Sequence, residues 1–186
     1  MIGRTLSIAV LSVASLTTAW ADYRVIDPQR VTRKVDQLCT WTGMKRVGPI
    51  ENIEQWRGEL RGYNVYAKLL LDGKIVPYEI SFDDGGLFNY WPRKYKCKAA
   101  EGTGYDTLKD PATRRLCIGA VQKLNRHLRW RFYDPAAIQK DGTGYRVSYL
   151  TVSPQERSRP GIILLDPYVN FMISRAGIVF GISHGG

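Results

Sequence analysis

The 186-residue sequence is poor in the side chains that most enzymes and metal proteins use at their centres. It contains three cysteines and two histidines. Three cysteines are too few for the disulfide framework of a small secreted scaffold, and their spacing does not match a zinc site. The 18 glycines follow no period, which excludes a collagen-like chain.

Long apolar runs and negative charge are also scarce. After the first 21 residues, runs such as residues 162–165 are far shorter than the roughly 20 residues that a membrane-spanning helix needs. Lys and Arg number 27 against 17 Asp and Glu, which gives a net charge of +10. A hydrophobic content of 44% is typical of globular chains and argues against disorder. The composition therefore predicts a folded, basic protein.

The first 21 residues have the pattern of a secretory signal peptide. Arg4 is the only charge, a serine-interrupted apolar stretch follows, and Ala19 and Ala21 are small residues at the positions that signal peptidase inspects. We predict cleavage between Ala21 and Asp22 and export to the periplasm or the extracellular space. An uncleaved membrane anchor is the alternative interpretation.

Export permits disulfides, and three cysteines allow one bridge with one thiol left over. Cys97 and Cys117 would close a loop of about twenty residues, which stabilises by roughly 3 kcal/mol in the chain-entropy model. Cys39 falls on the apolar side of a predicted helix, where a thiol acts as a small hydrophobe. We predict a bridge between Cys97 and Cys117 and a buried Cys39, while the other two pairings stay open.

Two helices are predicted to begin at the same dipeptide. In Asp27-Pro28 and Asp110-Pro111 a carboxylate caps free N–H groups, and proline occupies a position where its missing N–H is not needed. The apolar residues at helical spacing are Val31, Val35, Leu38 and Cys39 in the first helix and Leu116, Ala120, Val121, Leu124 and Leu128 in the second. We expect Val35, Leu38, Val121 and Leu124 to point into the core.

The remaining chain alternates like β-strands, with an exposed polar loop expected at residues 153–161. Residues 45–61 are ambiguous, because their apolar spacing fits a short helix that Gly58 weakens. The predicted strands are residues 63–69, 75–82, 87–91, 145–152, 162–165, 168–174 and 177–182.

The two halves resemble each other in their motifs. Asp27-Pro28 matches Asp110-Pro111, and a Gly-Tyr pair opens a strand in each half at nearly the same spacing. A helix with three strands is marginal alone, so two such units should share one core. The predicted class is α+β, with an internal duplication. The predicted division is a signal peptide at residues 1–21, a first helix-plus-antiparallel-meander unit at 22–92, a basic linker at 93–109 and a second unit at 110–186.

A helix followed by the hairpin of residues 78–87, with its acidic-glycine turn, resembles PepSY-type and other cystatin-like secreted modules. The resemblance covers about half of the mature chain as two copies. The second copy departs from it, since Ser174-Arg175-Ala176-Gly177 replaces the acidic turn. The resemblance implies a non-enzymatic binding or peptidase-regulating role and assigns no functional residue.

No catalytic constellation is recognisable in the sequence. His127 lies on a basic helix, where neighbouring arginines favour the neutral ring, and His184 lies in a tail that we expect to be flexible. Asp83 and Asp84 are adjacent in a turn, where carboxylates commonly bond to backbone or face water. We predict no catalytic residue, cofactor or metal, and a cysteine-dependent enzyme remains an alternative.

Positive charge is concentrated between residues 93 and 131, which hold eleven Lys and Arg and three acidic residues. Such a surface attracts anionic polymers or acidic proteins, although a solvated helix face is the alternative. Nucleic acid is a poor candidate, because the chain is predicted to be exported and contains no recognised nucleic-acid module. The candidate anion-binding residues are Arg93, Lys94, Lys96, Arg115, Arg126 and Arg129.

Aromatic side chains are a second group of candidate contact residues. Alternation puts Phe88 and Tyr90 on one face of a strand and Trp91 on the other, for core packing or for contact with a partner. We predict an exported, non-catalytic binding protein, an inhibitor or chaperone of another secreted or envelope protein. The alternative is an electrostatic binder of anionic envelope polymers through residues 93–131.

Overall fold

The computed structural model describes residues 26–56, 61–94, 108–133, 135–142, 144–157 and 168–184. The predicted signal peptide lies outside these residues. None of the helices within them is long and apolar enough to cross a membrane. The elements are α1 (Pro28–Thr42), β1 (Lys45–Gln55), β2 (Gly62–Leu71), β3 (Lys74–Asp83), β4 (Gly86–Pro92), α2 (Pro111–Leu128), β5 (Pro135–Asp141), β6 (Gly144–Leu150), α3 (Pro154–Arg157), β7 (Tyr168–Ser174) and β8 (Val179–His184).

The eight strands of the described residues form one antiparallel sheet in the order β1-β2-β3-β4-β8-β7-β6-β5. Each half of the chain contributes a helix followed by four strands. The last strands of the two halves, β4 and β8, pair at the centre of the sheet, where Tyr90 is opposite Ile182. The α+β class is confirmed, and the internal duplication stays a prediction.

Both long helices begin at the predicted caps. The Asp27 carboxylate accepts a hydrogen bond from the backbone N–H two residues on (2.9 Å), and the Asp110 carboxylate accepts one from the N–H three residues on (2.7 Å). Helix α1 ends at Gly43, whose φ of 82° suits glycine, and α2 ends at Arg129 with a φ of 57°.

The helices bury one side each in a common core with one face of the sheet. Val35, Leu38, Val121 and Leu124 are all buried, as predicted. Leu116 does not belong to the inward stripe, since its side chain is 38% exposed. Cys117 takes the inward position, because it lies one turn before buried Val121 and residues four apart share one side of a helix.

The described cysteines are buried free thiols. Burial is the main cause that raises the pKa of both Cys39 and Cys117 to about 11, so both are protonated at neutral pH and poor nucleophiles. The predicted burial of Cys39 is confirmed. Cys97 lies outside the described residues, and the predicted bridge between Cys97 and Cys117 is not formed, because Cys117 is a free thiol.

Two strands were not evident in the sequence. Residues 45–55 form β1 at one edge of the sheet, where most side chains are exposed and a register shift separates Val47 from Asn52. Pro135–Asp141 forms β5 at the other edge. Within the predicted loop at 153–161, residues 154–157 form the short α3. The predicted strand at residues 162–165 lies outside the described residues.

Candidate binding cleft and basic rim

A cleft of about 520 Å³ opens beside α2. Its volume is within the range of ligand-binding pockets. Its walls come from α2, from the segment that follows it and from β5 and β6, so they are distant in sequence. The lining residues are Ile118, Val121, Gln122, Asn125, Phe132, Tyr133, Pro135 and Tyr149.

The segment after α2 is held in place by paired hydrogen bonds. The Asn125 side chain donates to the carbonyl oxygen of Trp130 and accepts from its backbone N–H, both at 2.9 Å. Farther along, the N–H of Tyr133 donates to the carbonyl oxygen of Leu150 (3.0 Å). These contacts fix the outer wall of the cleft. Gln122, the other amide side chain of the lining, makes no hydrogen bond to the residues that the structure describes.

An aromatic cluster forms the floor of the cleft. The Phe132 ring lies 5.2 Å from the ring of Tyr149 and 5.3 Å from that of Phe171. The rings of Tyr149 and Phe171 are perpendicular at 5.8 Å. Edge-to-face contacts of this kind add stability beyond area burial. Because Phe171 is fully buried, the floor is continuous with the protein core.

Basic side chains line the outer side of α2 next to the cleft. Arg115, Arg126 and Arg129 are exposed, and Arg115 and Arg126 lie about three turns apart on the same side as Gln122. The ion pairs found among the described residues join Arg46 to Asp36 and Lys68 to Glu51. The three arginines of α2 are therefore without acidic partners among these residues. The cleft therefore has an interior of mixed polarity, with apolar and aromatic side chains beside two amides, and a positive rim.

The other basic residues predicted with them lie elsewhere. Arg93 and Lys94 are exposed after β4, and the Arg93 guanidinium lies 5.0 Å from the centre of the Tyr66 ring. Tyr66 alternates with buried Val65 and Ala67, so its side chain is on the sheet face away from the helices. The structure does not bring Arg93 to the rim on α2. Lys96 lies outside the described residues.

The two histidines take part in ring contacts. His127 of α2 stacks on Trp41 of α1, with ring centres 5.1 Å apart, and so joins the two helices. The expectation of a flexible tail at His184 was wrong, because His184 is in β8 opposite Val169. Its ring stacks on that of Phe88 in β4, with ring centres 4.8 Å apart.

The stability of the fold is expected to fall in mild acid because of His184. Burial lowers the pKa of His184 from its ordinary 6.5, and the nearby Asp83 carboxylate opposes this shift only in part. The neutral ring is therefore favoured by folding. Its contribution is complete above pH 6.5 and is lost as the pH falls through the lowered pKa.

Urea unfolding at pH 7.5 and pH 5 measures this effect. We expect the wild-type free energy of unfolding to fall more between the two pH values than that of His184→Phe, which keeps an aromatic ring beside Phe88. An equal fall in both proteins would show that His184 contributes nothing to the pH dependence.

Comparison with solved structures gives a match over most of the chain. The C-terminal domain of YpeB from Bacillus megaterium superposes with a TM-score of 0.53 at 10% sequence identity. The match covers 85% of this chain and 62% of the YpeB domain, so the chain spans less than two thirds of that domain. No protein-family model matches the sequence, and no curated protein sequence matches it.

The chain shares the fold of the C-terminal domain of YpeB. At 10% identity the likeness shows the fold alone and carries no site residue to this chain. The cleft was not foreseen from the sequence, because its walls come together only when α2 packs beside β5 and β6.

Proposed function

We propose that the chain is an exported, non-catalytic binding protein that holds an acidic segment of another secreted or envelope protein in the cleft beside α2. The observation that carries this proposal is a partly apolar cleft, lined by aromatic rings and amides, whose outer rim bears exposed arginines without acidic partners among the described residues. The shared fold of the YpeB domain is compatible with such a role.

The interior of the cleft and its basic rim contribute differently to binding. An apolar side chain of the partner gains roughly 25 cal/mol for each Å² that it buries against Ile118 and Tyr149. Carboxylates on the same segment meet Arg126 and Arg129, which accelerates association and selects acidic partners. Affinity should therefore fall with increasing salt but not vanish, because apolar burial is not screened.

Blocking the cleft tests the proposal. The probe is a fluorescent peptide in which aromatic and aliphatic residues alternate with Asp and Glu, followed by anisotropy at several salt concentrations. Gln122→Trp places a bulky ring in the cleft without removing a charge, and we expect peptide affinity to fall about tenfold or more, as for loss of a binding hot spot.

The matched control is Gln37→Trp, which adds the same ring to an exposed position on α1. This variant should bind the peptide like the wild type. Absence of peptide binding by the wild type, or equal affinity in both tryptophan variants, would overturn the proposal.

Electrostatic binding of an anionic envelope polymer is the second candidate. The unpaired arginines of α2 favour it, although Arg93 lies over Tyr66 on the opposite sheet face and reduces the continuous basic surface. A flexible polyanion such as polyglutamate would then bind Gln122→Trp as tightly as the wild type, because the cleft itself is not used.

A further inference from the structure

The two long helices carry positive charge on the side that faces away from the sheet. At 3.6 residues per turn, five exposed basic residues fall on the side of their helix opposite its buried residues. We call this surface the basic helix face, and its members are Arg30 and Arg33 in α1 and Arg115, Lys123 and Arg126 in α2.

The acidic residues of the helices do not neutralise the basic helix face. Helix α2 contains no Asp or Glu, and the one acidic residue within α1, Asp36, pairs with Arg46 of β1 at 2.7 Å. The cap residues Asp27 and Asp110 each accept a hydrogen bond from a backbone N–H of their helix. All five positive charges of this surface are therefore available to a partner.

The basic helix face is one continuous surface. The ring of Trp41 stacks on the ring of His127 where α1 and α2 meet. Arg30 lies about three turns before Trp41, and Lys123 lies one turn before His127, so these two basic residues border the contact from either side. Because both helices also bury their inner sides in one core, the charges of α1 are held beside those of α2.

The arrangement of the charges favours a planar partner. Arg115 and Arg126 lie roughly 16 Å apart along α2, and the arginines of α1 lie across the helix contact, where packed axes are about 8–10 Å apart. A flat anionic surface reaches all five side chains at once, whereas a polymer chain that follows one helix reaches only part of them.

The chemistry of the side chains favours phosphate. Four of the five residues are arginine, whose planar guanidinium can form two parallel hydrogen bonds with the oxygens of one phosphate group. Basic residues near an anionic bilayer are attracted by its surface potential. We propose that the basic helix face binds the surface of a bilayer that contains anionic phospholipids.

This contact is electrostatic and shallow. The large apolar side chains exposed in the described part of the chain are Ile75, Leu116 and Tyr133, of which Leu116 belongs to a long helix. One partly exposed leucine offers little apolar surface for insertion between lipids. Salt at 1 M should therefore release the wild-type protein from the bilayer, since the screening length is then about 3 Å.

Sedimentation with lipid vesicles at low salt tests the proposal. The probes are vesicles of phosphatidylcholine alone and vesicles with equal parts of phosphatidylcholine and phosphatidylglycerol. We expect the wild-type protein to bind the mixed vesicles at least tenfold more tightly than the neutral ones. The double variant Arg30→Glu, Arg33→Glu should lose at least tenfold in affinity for the mixed vesicles, because each basic residue near an anionic bilayer strengthens binding roughly fivefold.

The matched control is the double variant Lys68→Glu, Arg93→Glu, which changes the net charge by the same amount. Lys68 alternates with buried Ala67 and Leu69, and Arg93 lies over Tyr66, so both residues are on the sheet face away from the helices. This variant should bind the mixed vesicles nearly as well as the wild type.

The proposal goes beyond the proposed function and can fail separately from it. Gln122→Trp, which blocks the cleft, should bind the mixed vesicles like the wild type, whereas Arg30→Glu, Arg33→Glu should keep its affinity for the acidic peptide. Four results would each overturn the proposal: equal binding to both vesicle types, equal losses in the two double variants, retention of the wild type on vesicles at 1 M salt, or tighter binding to soluble polyglutamate than to vesicles at the same concentration of negative charge.

Discussion

Replacing Phe171 by alanine is expected to lower the free energy of unfolding by about 3–5 kcal/mol, as for other fully buried phenylalanines. Phe171 lies in β7, next to the strand at the junction of the two halves, and its exposed fraction is 0%. Its ring contacts Phe132 and Tyr149, so the substitution leaves a cavity beneath the cleft as well as in the core.

Urea unfolding of the variant and the wild type measures the difference. The control is Ile75→Ala, which removes apolar atoms from a strand residue that is 58% exposed and should cost less than about 0.5 kcal/mol. A Phe171→Ala protein as stable as this control would show that the Phe171 ring does not pack in the core.

Reversing the three basic charges at the rim of the cleft is expected to weaken binding of the acidic peptide about 100-fold, or about 3 kcal/mol. The variant is Arg115→Glu, Arg126→Glu and Arg129→Glu. Each change replaces attraction by repulsion at an exposed position, so stability should change little while association slows and the salt dependence of affinity is lost.

Peptide affinity is expected to depend on where the positive charges lie rather than on the net charge of the protein. The control variant, Arg30→Glu, Arg33→Glu and Lys45→Glu, changes the net charge by the same amount at exposed positions on α1 and at the start of β1. It should bind the peptide nearly as well as the wild type. Equal losses of peptide affinity in the two triple variants would mean that only the net charge of the protein affects binding.

The sequence was most informative where the signal is local. Asp27 and Asp110 predict the helix starts because a cap and its N–H groups lie within three residues of each other. Strand β2 was recognisable because buried Val65 and Ala67 alternate with less buried neighbours. These signals were enough to predict the α+β class.

The edge strands and the cleft were harder to predict from the sequence. Strand β1 contains Gly48 and Pro49 and is exposed along most of its length, so it lacks the alternation of a half-buried strand. Leu116 and Cys117 are adjacent, and propensity favoured the larger apolar residue for the core, whereas helix orientation buries the cysteine. The cleft depends on the packing of α2 beside β5 and β6, which no local pattern reveals.

Mapping the bound acidic peptide by backbone amide chemical shifts is the most direct test of the cleft as the binding site. The account predicts that the largest shifts cluster on Ile118, Gln122, Phe132 and Tyr149, with small shifts on α1 and β1. Shifts that cluster on α1 or β1, or that spread evenly over the basic surface, would contradict it.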